Sequence, residues 1–314
     1  MHKHAAETRS RALTVLVLIA LTHINTALGQ ENHRADLKSV LRLATVHGEA
    51  MCPFDVSMVT HIQNEFDGEP TDLQVIRSRM LYSPAGKFLS WAVETKKENS
   101  QSTRRPESVG AVTYYGVTVH GSESTSITGD GSPSIRSHKS FSAALNELKI
   151  PRPEYWLILP FPFQNGDAEI ERLASLIDKK SSTITSTVQG DSIRYQVRVE
   201  REGGHYDLFG WSFDVETLHP SRCYLKRAMG GPPTTYFEQD VRWGTAFGKE
   251  IPVLIAHQKL ALRPAAPGSR VQLELGIRNE DTELNWHKVV ENKEKLPRKI
   301  LQSKIDVVQF LDEH

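Results

Sequence analysis

The chain has 314 residues, 39% of them hydrophobic and 24% charged, and its 38 Lys/Arg balance its 38 Asp/Glu. That composition describes an ordinary globular protein and excludes both a disordered chain and a membrane-embedded one. Zero net charge leaves no electrostatic footprint for nucleic acid, and the length admits one large β-rich domain or two ordinary ones.

Residues 1–29 read as a secretory signal. Lys3, Arg9 and Arg11 precede ALTVLVLIAL, an apolar run too short to cross a bilayer. Ala27 and Gly29 then put small residues at positions −3 and −1 of a cut before Gln30. Polar His23 and Asn25 follow the run too closely for an uncleaved anchor, and no Cys follows the cut to carry a lipid. Removing this segment leaves 35 Lys/Arg against 37 Asp/Glu. The expectation is a near-neutral, periplasmic or secreted domain over residues 30–314, with no transmembrane segment after the cut.

Asp36 opens a helix with Leu37, Val40, Leu41 and Ala44 on one face and Gly48 as its stop. After Pro53 the period changes: FDVSMVTHI alternates Phe54, Val56 and Met58 with polar residues, as a half-buried strand does. A hairpin follows over VIRSRMLYSPAGKFLSWAVETKK, turning at Ser83–Gly86. KKENSQSTRRPES reads as an exposed loop, GAVTYYGVTVHG and STSIT as strands, GDGSPSIRSHKS as a loop and FSAALNELKI as a short helix.

Pro151, Pro153, Pro160 and Pro162 forbid a regular helix or a central strand over 150–164, so the segment is expected to be extended, with Trp156, Leu157, Leu159 and Phe161 covered by the body of the protein. Asp167 then caps a second helix with Ile170, Leu173, Ala174 and Ile177 as its stripe. The C-terminal half is nearly all strand: SIRYQVRVE, HYDLFGWSFDVE, RCYLKRA, TTYFEQDVRWG, IPVLIAHQKLAL and VQLELGIRN, with TELNWHKVV as a last short strand and 292–314 as a polar tail or helix. Strands joined by tight turns pair antiparallel, and one apolar face on each gives a curved sheet with one covered side. The predicted fold is α+β: a curved, mostly antiparallel sheet, a half-open barrel, with helices against the concave face.

Within that meander two stretches carry a resemblance. DVETLHPSR (214–222) places an Asp-led turn before Pro and a basic residue that start the next strand, and WGTAFGKEIP (243–252) places a Gly turn before an apolar residue and Pro entering a strand. Together with an exported chain, an N-terminal amphipathic helix and a long meander, they resemble the LolA/LolB group of lipoprotein carriers. The resemblance spans roughly residues 33–291 as architecture and implies a half-barrel that holds acyl chains. The proline-rich segment and the residues after Trp286 depart from that pattern, and no ligand contact is carried over.

Several chemistries compete. Export allows a disulfide between the only two cysteines, Cys52 and Cys223, worth up to about 5 kcal/mol in the loop-entropy account. His47 precedes Cys52 by five residues and His219 precedes Cys223 by four, so His47, Cys52, His219 and Cys223 form an alternative metal set if the two corners meet. Gly190–Asp191–Ser192 echoes a lipase-like block but sits between two strands, as a hairpin turn does. There is no Gly-x-Ser-x-Gly and no His-Glu-x-x-His, and Gly129–Ser132 lacks the spaced carboxylates of a calcium loop. Glu280–Asp281 and Glu238/Asp240 are acidic pairs of the kind a glycosidase uses, though turns and wet strand faces account for them equally. Trp91, Tyr115, Trp156, Phe209, Trp211 and Phe213 are either core or the lining of an apolar cavity. The leading expectation is a non-catalytic carrier or binding protein for a hydrophobic ligand, a lipid or a lipoprotein acyl chain, with no cofactor. The rivals are a hydrolase or metal-dependent enzyme, and a scaffold module.

Overall fold

Among the described residues, one run of thirteen antiparallel strands, in the spatial order β6-β5-β4-β3-β2-β1-β13-β12-β11-β10-β9-β8-β7, makes up the body of the protein. The computed structural model describes residues 36–43, 52–100, 110–129, 132–150, 166–178, 182–264, 273–289, 296 and 298–313. The strands are β1 (Phe54–Phe66), β2 (Glu69–Ser83), β3 (Phe88–Ser100), β4 (Val112–His120), β5 (Glu123–Thr128), β6 (Ser134–Ser137), β7 (Ser182–Gln189), β8 (Ser192–Glu200), β9 (Tyr206–Asp214), β10 (Pro220–Ala228), β11 (Thr234–Ala246), β12 (Lys249–Pro264) and β13 (Leu273–Val289). Four short helices accompany them: α1 (36–43), α2 (Phe141–Glu147), α3 (Gly166–Asp178) and α4 (Lys304–Asp312).

Two meanders, β1–β6 and β7–β13, are each wound by local turns. At β1/β2 and β11/β12 two-residue loops, Asp67–Gly68 and Phe247–Gly248, hold both residues at positive φ, the mirror-image turn whose twist matches that of paired strands. The meanders are welded by their outermost sequence neighbours: β1 pairs with β13 from Phe54↔Val289 to Phe66↔Gly276. That puts β6 and β7 at the two ends of the described strand order, which does not close, so the barrel is half-open.

Side chains from β1, β2, β3, β8, β9, β11 and β13 share one core cluster with α1, α2 and α3. A flat sheet could not gather strands so far apart in its order; the common face is the concave one. Its hub is aromatic: the rings of Phe54 and Trp286 meet edge to face at 5.2 Å, and Tyr195 and Phe213 at 6.2 Å. Helix α1 buries Leu37, Val40 and Leu41, as its spacing predicts, and Lys38 reaches Asp178 of α3 at 2.5 Å.

The C-terminal segment takes the other face. Val307, Phe310 and Leu311 of α4, with Leu296 and Leu301, pack on Leu81, Phe88, Ala92 and Ile127, side chains of the convex surface. Gly116 lies directly beneath Val307, where a Cβ would collide with the valine side chain. Arg79 locks the helix down: its Nε and Nη2 donate to the two oxygens of Asp55 at 2.9 and 2.7 Å, and Nη1 donates to the Phe310 carbonyl at 3.0 Å. Of the tail or helix expected over 292–314, residues 304–312 are a docked helix.

Some boundaries differ from the sequence reading. The described parts of VQLELGIRN and TELNWHKVV, residues 273–279 and 282–289, fall in the single seventeen-residue strand β13, because Asp281 and Thr282 pair with both β1 and β12 and have no turn to make. Strand β3 continues to Ser100, into the stretch read as loop, and β6 lies within the loop of 129–140. The signal segment, the proline-rich segment with Trp156, and His47 lie outside the described residues.

Candidate ligand-binding site

Helices α1 and α3 cover the β7–β9 side of the concave face and α2 covers β4–β5. Between them the strands β12, β13, β1, β2 and β3 leave a cavity of about 440 Å³, lined by Met58, Thr60, Ile62, Ile76, Ser78, Met80, Trp91, Val93, Ile255, His257, Lys259, Arg278, Glu280, Thr282 and Leu284. The volume falls within the range of small-molecule sites.

Strand register arranges these residues in rows. The deepest row is Trp91, Met80 and Val56, with Trp286 beside them. Next comes Val93, Ser78, Met58 and Leu284, then Ile76, Thr60, Thr282 and Ile255. In that third row Thr60 and Thr282 share a hydrogen bond of 2.9 Å, hydroxyl to hydroxyl, across the β1/β13 weld. Nearer the mouth, Ile62, Glu280 and His257 are level, and Arg278 and Lys259 form the rim. The cavity is thus apolar at its floor and ionic at its mouth.

Glu280 anchors the mouth. It is 5% exposed, and its Oε1 accepts from Arg278 Nε at 2.5 Å and Lys259 Nζ at 2.6 Å. His257 Nδ1 lies 3.7 Å from Oε2, and its Nε2 is 2.8 Å from Gln239 Oε1. Burial by itself would raise the Glu280 carboxyl, but the hydrogen bonds from His257 and Lys259 and the charges of Lys259 and Arg278 overcome it and hold it at about 2. At the floor, the indole Nε1 of Trp91 is buried without a hydrogen-bond partner, while the ring meets Tyr115 edge to face at 6.0 Å.

The aromatic series therefore splits. Trp91 lines the cavity with Tyr115 behind it, whereas Phe209, Trp211 and Phe213 are core, between 0% and 6% exposed. The acidic pairs dissolve in the same way. Asp281 follows Glu280 on the strand and so faces the opposite, exposed side, and Glu238 and Asp240 serve Arg222 as ion-pair partners. Gly190–Asp191 is the β7/β8 turn, with Gln189 opposite Ser192.

The cysteines are not bridged. Cys52 and Cys223 are both buried and hold no disulfide between them. Register gives the reason: Cys223 is level with Gln239, His257, Glu280 and finally Ile62 of β1. From Ile62 the chain runs back to Cys52 for roughly 30 Å along the strand direction, where a disulfide needs Cα atoms within about 7 Å. Burial pushes the Cys223 thiol far up, and nearby Asp240 adds to the effect, so it is held as the neutral thiol.

His219 is equally accounted for. Its ring stacks on Trp243 at 4.0 Å, Nδ1 lies 3.3 Å from Glu250, and burial lowers its pKa against the pull of Glu250 and Asp214. Among the described residues no group of three or more His, Cys, Asp or Glu is placed to hold a metal. The corner itself is made by Asp214, whose Oδ1 accepts from Glu216 N, Thr217 N and Thr217 Oγ1 at 2.8–3.0 Å, with Leu218 at φ 56°. The two stretches that carried the LolA/LolB resemblance meet here, since Trp243 Nε1 also donates to the Pro220 carbonyl at 3.0 Å.

Sequence reading missed His257, Lys259 and Arg278, and noted Glu280 only as half of an acidic pair. A signal was present. Leu284 and Trp286 fix which positions of β13 face the core, and Arg278, Glu280 and Thr282 continue that same alternation.

No family model matches the chain, and no curated relative does. Among solved structures it is similar to a DUF1329 family protein from Desulfovibrio piger, with 10% identity over 81% of this chain and 95% of that chain and a TM-score of 0.37. It is also similar to MucB in complex with MucA(peri), at 10% identity over 79% and 93% of the two chains and a TM-score of 0.21. A Pseudomonas aeruginosa MucA/MucB complex gives 10% identity over 77% and 94% and a TM-score of 0.20. At such scores the likeness decides nothing; the fold rests on the strand pairing itself. No helix among the described residues is long and apolar enough to cross a membrane.

Proposed function

We propose that the protein is an exported, non-catalytic carrier or binding protein for a hydrophobic ligand, a lipid or a lipoprotein acyl chain, held in the half-barrel. The observation that carries this reading is the apolar cavity on the concave face, preformed between β12 and β3 and left open by the helices that fill the rest of that face. A face built for stability alone would be closed, since unfilled apolar space forfeits packing contacts. The LolA/LolB-like turns and the signal-like residues 1–29, cut before Gln30, belong to the same reading and put the protein in the periplasm or outside the cell.

Affinity in such a site comes from buried CH₂ groups, about 0.8 kcal/mol each. A series of alkyl ligands of increasing length should bind progressively tighter until the cavity is full. Ile76→Glu places an unpaired charge against hydrocarbon and should abolish uptake in a protein whose circular dichroism is unchanged. Folded wild-type protein that binds no member of the series at any length would leave the sheet as a scaffold only.

A further inference from the structure

The charge balance of the cavity identifies which end of a ligand belongs at the mouth. Lys259 and Arg278 both spend their contacts on a single oxygen of Glu280. Among the described lining residues one carboxylate offsets one cation, so the rim keeps a surplus positive charge beside an apolar chamber, which a further anion would neutralise. A second cavity in the same molecule provides the control. There, Arg172, Arg201 and Arg227 face Glu200, Glu202 and Asp207, and the lining charges cancel.

Exposure points the same way. The side chains of Lys259 and Arg278 are 34% and 33% exposed and Glu280 only 6%, so a ligand can reach the cations and cannot reach the carboxylate that would repel it. Below the rim and His257 the lining carries no charge, down to Met80 and Trp91. Arg278 is level with residue 64 of β1 and Trp91 with residue 56, a depth of roughly 27 Å along the strand.

Resting on the carrier reading above, we propose that the cavity selects a single-chain amphiphile with one acidic headgroup, carboxylate or phosphate, which pairs with Lys259 and Arg278 while its hydrocarbon lies along Met58, Leu284, Met80 and Trp91. Lys259 and Arg278 keep Glu280 as a fixed counter-ion that orients them, and the arriving acid completes the charge balance.

The test is a set of twelve-carbon ligands matched in chain and different in head: laurate, dodecanol, dodecyltrimethylammonium and monolauroyl phosphatidate, each competed against a fluorescent fatty acid. The acids should bind about ten- to hundredfold tighter than dodecanol, the range of a charge-assisted hydrogen bond, and the cationic ligand weakest. Laurate ahead of the phosphatidate assigns a free fatty acid, and the reverse order a phospholipid-derived headgroup. Lys259→Gln should reduce the preference for acid and Lys259→Glu should reverse it toward the cation, each read as the ratio of laurate to dodecanol affinity within the same variant. Lys259 is partly exposed at the rim, so these variants leave the packed core intact, and circular dichroism checks it. Equal binding of laurate and dodecanol, or an acid preference unmoved in Lys259→Glu, overturns the headgroup inference and leaves the carrier intact. Binding of none of the four ligands removes the carrier reading itself.

Discussion

The concave face has two halves built on opposite plans. Under β8–β10 it is solid: Tyr195, Trp211 and Phe213 are no more than 1% exposed, and α1 and α3 close over them. Under β12–β3 the same face of the same sheet is hollow, with Met58, Thr60 and Ile76 only half-buried and a buried ion cluster at its lip. Both halves follow one alternation of inward and outward side chains. They differ in what is laid over the sheet and in how large the inward side chains are. Packing is concentrated in one half, and the other is left open.

That division can be broken at the packed half first. Trp211→Ala removes a fully buried ring that stacks on Phe209 at 6.4 Å, and should cost about 3–5 kcal/mol in urea denaturation, with loss of cooperative unfolding if the aromatic hub is the nucleus of the core. Arg79→Met on the convex face leaves the partly buried Asp55 carboxylate without its cation and should cost about 3 kcal/mol, with amide exchange accelerated in α4 before the rest of the sheet. Gly116→Val tests the same docking from below by meeting Val307, and should free α4 while ligand binding in the cavity persists.

The hollow half is sharpened by pH. Glu280 has a folded pKa of about 2 against an ordinary 4.5, so its contribution is fully present above about pH 4.5 and is lost as pH falls toward 2. At neutral pH the contribution is on the order of 3 kcal/mol. Glu280→Gln should therefore be less stable than wild type at pH 6, and the difference should shrink steadily in denaturation curves taken down to pH 2. A gap of constant size across that range would mean the carboxylate is not held by its cations. The smallest effect belongs to the cavity wall: Thr60→Val removes the Thr282 hydrogen bond at a half-buried site and should shift stability by about 1 kcal/mol or less, while making the mid-cavity more apolar and tightening alkyl binding.

The chain's local signals carried a good part of this fold. Turn chemistry at Gly190–Asp191 and at the Asp214 corner, the alternation Ile193, Tyr195, Val197 and Val199, and the stripe Leu37, Val40 and Leu41 each depend on neighbours within one or two turns of chain, and each is where periodicity puts it. Alternation also marked which positions face inward, and so held the key to Arg278, Glu280 and Thr282, polar residues in the apolar phase of a strand. The sequence alone determined a curved antiparallel sheet with short amphipathic helices; that α4 covers part of its convex face came only with the tertiary structure.

Only the tertiary structure decided how the two meanders join. The β1/β13 pairing links residues more than two hundred positions apart, and no local pattern prefers that partner over β6 or β7 at the ends of the order. That one choice sets Thr60 against Thr282 and Ile62 against Glu280, which creates the middle and mouth of the cavity, and it sends the row through Cys223 far from Cys52. Whether an aromatic is lining or core was likewise a question of which helix lies above it: Trp91 and Trp211 occupy equivalent inward positions on their strands, and only the cover differs. Composition and periodicity describe a side chain's face; the space in front of that face belongs to whatever distant segment packs there.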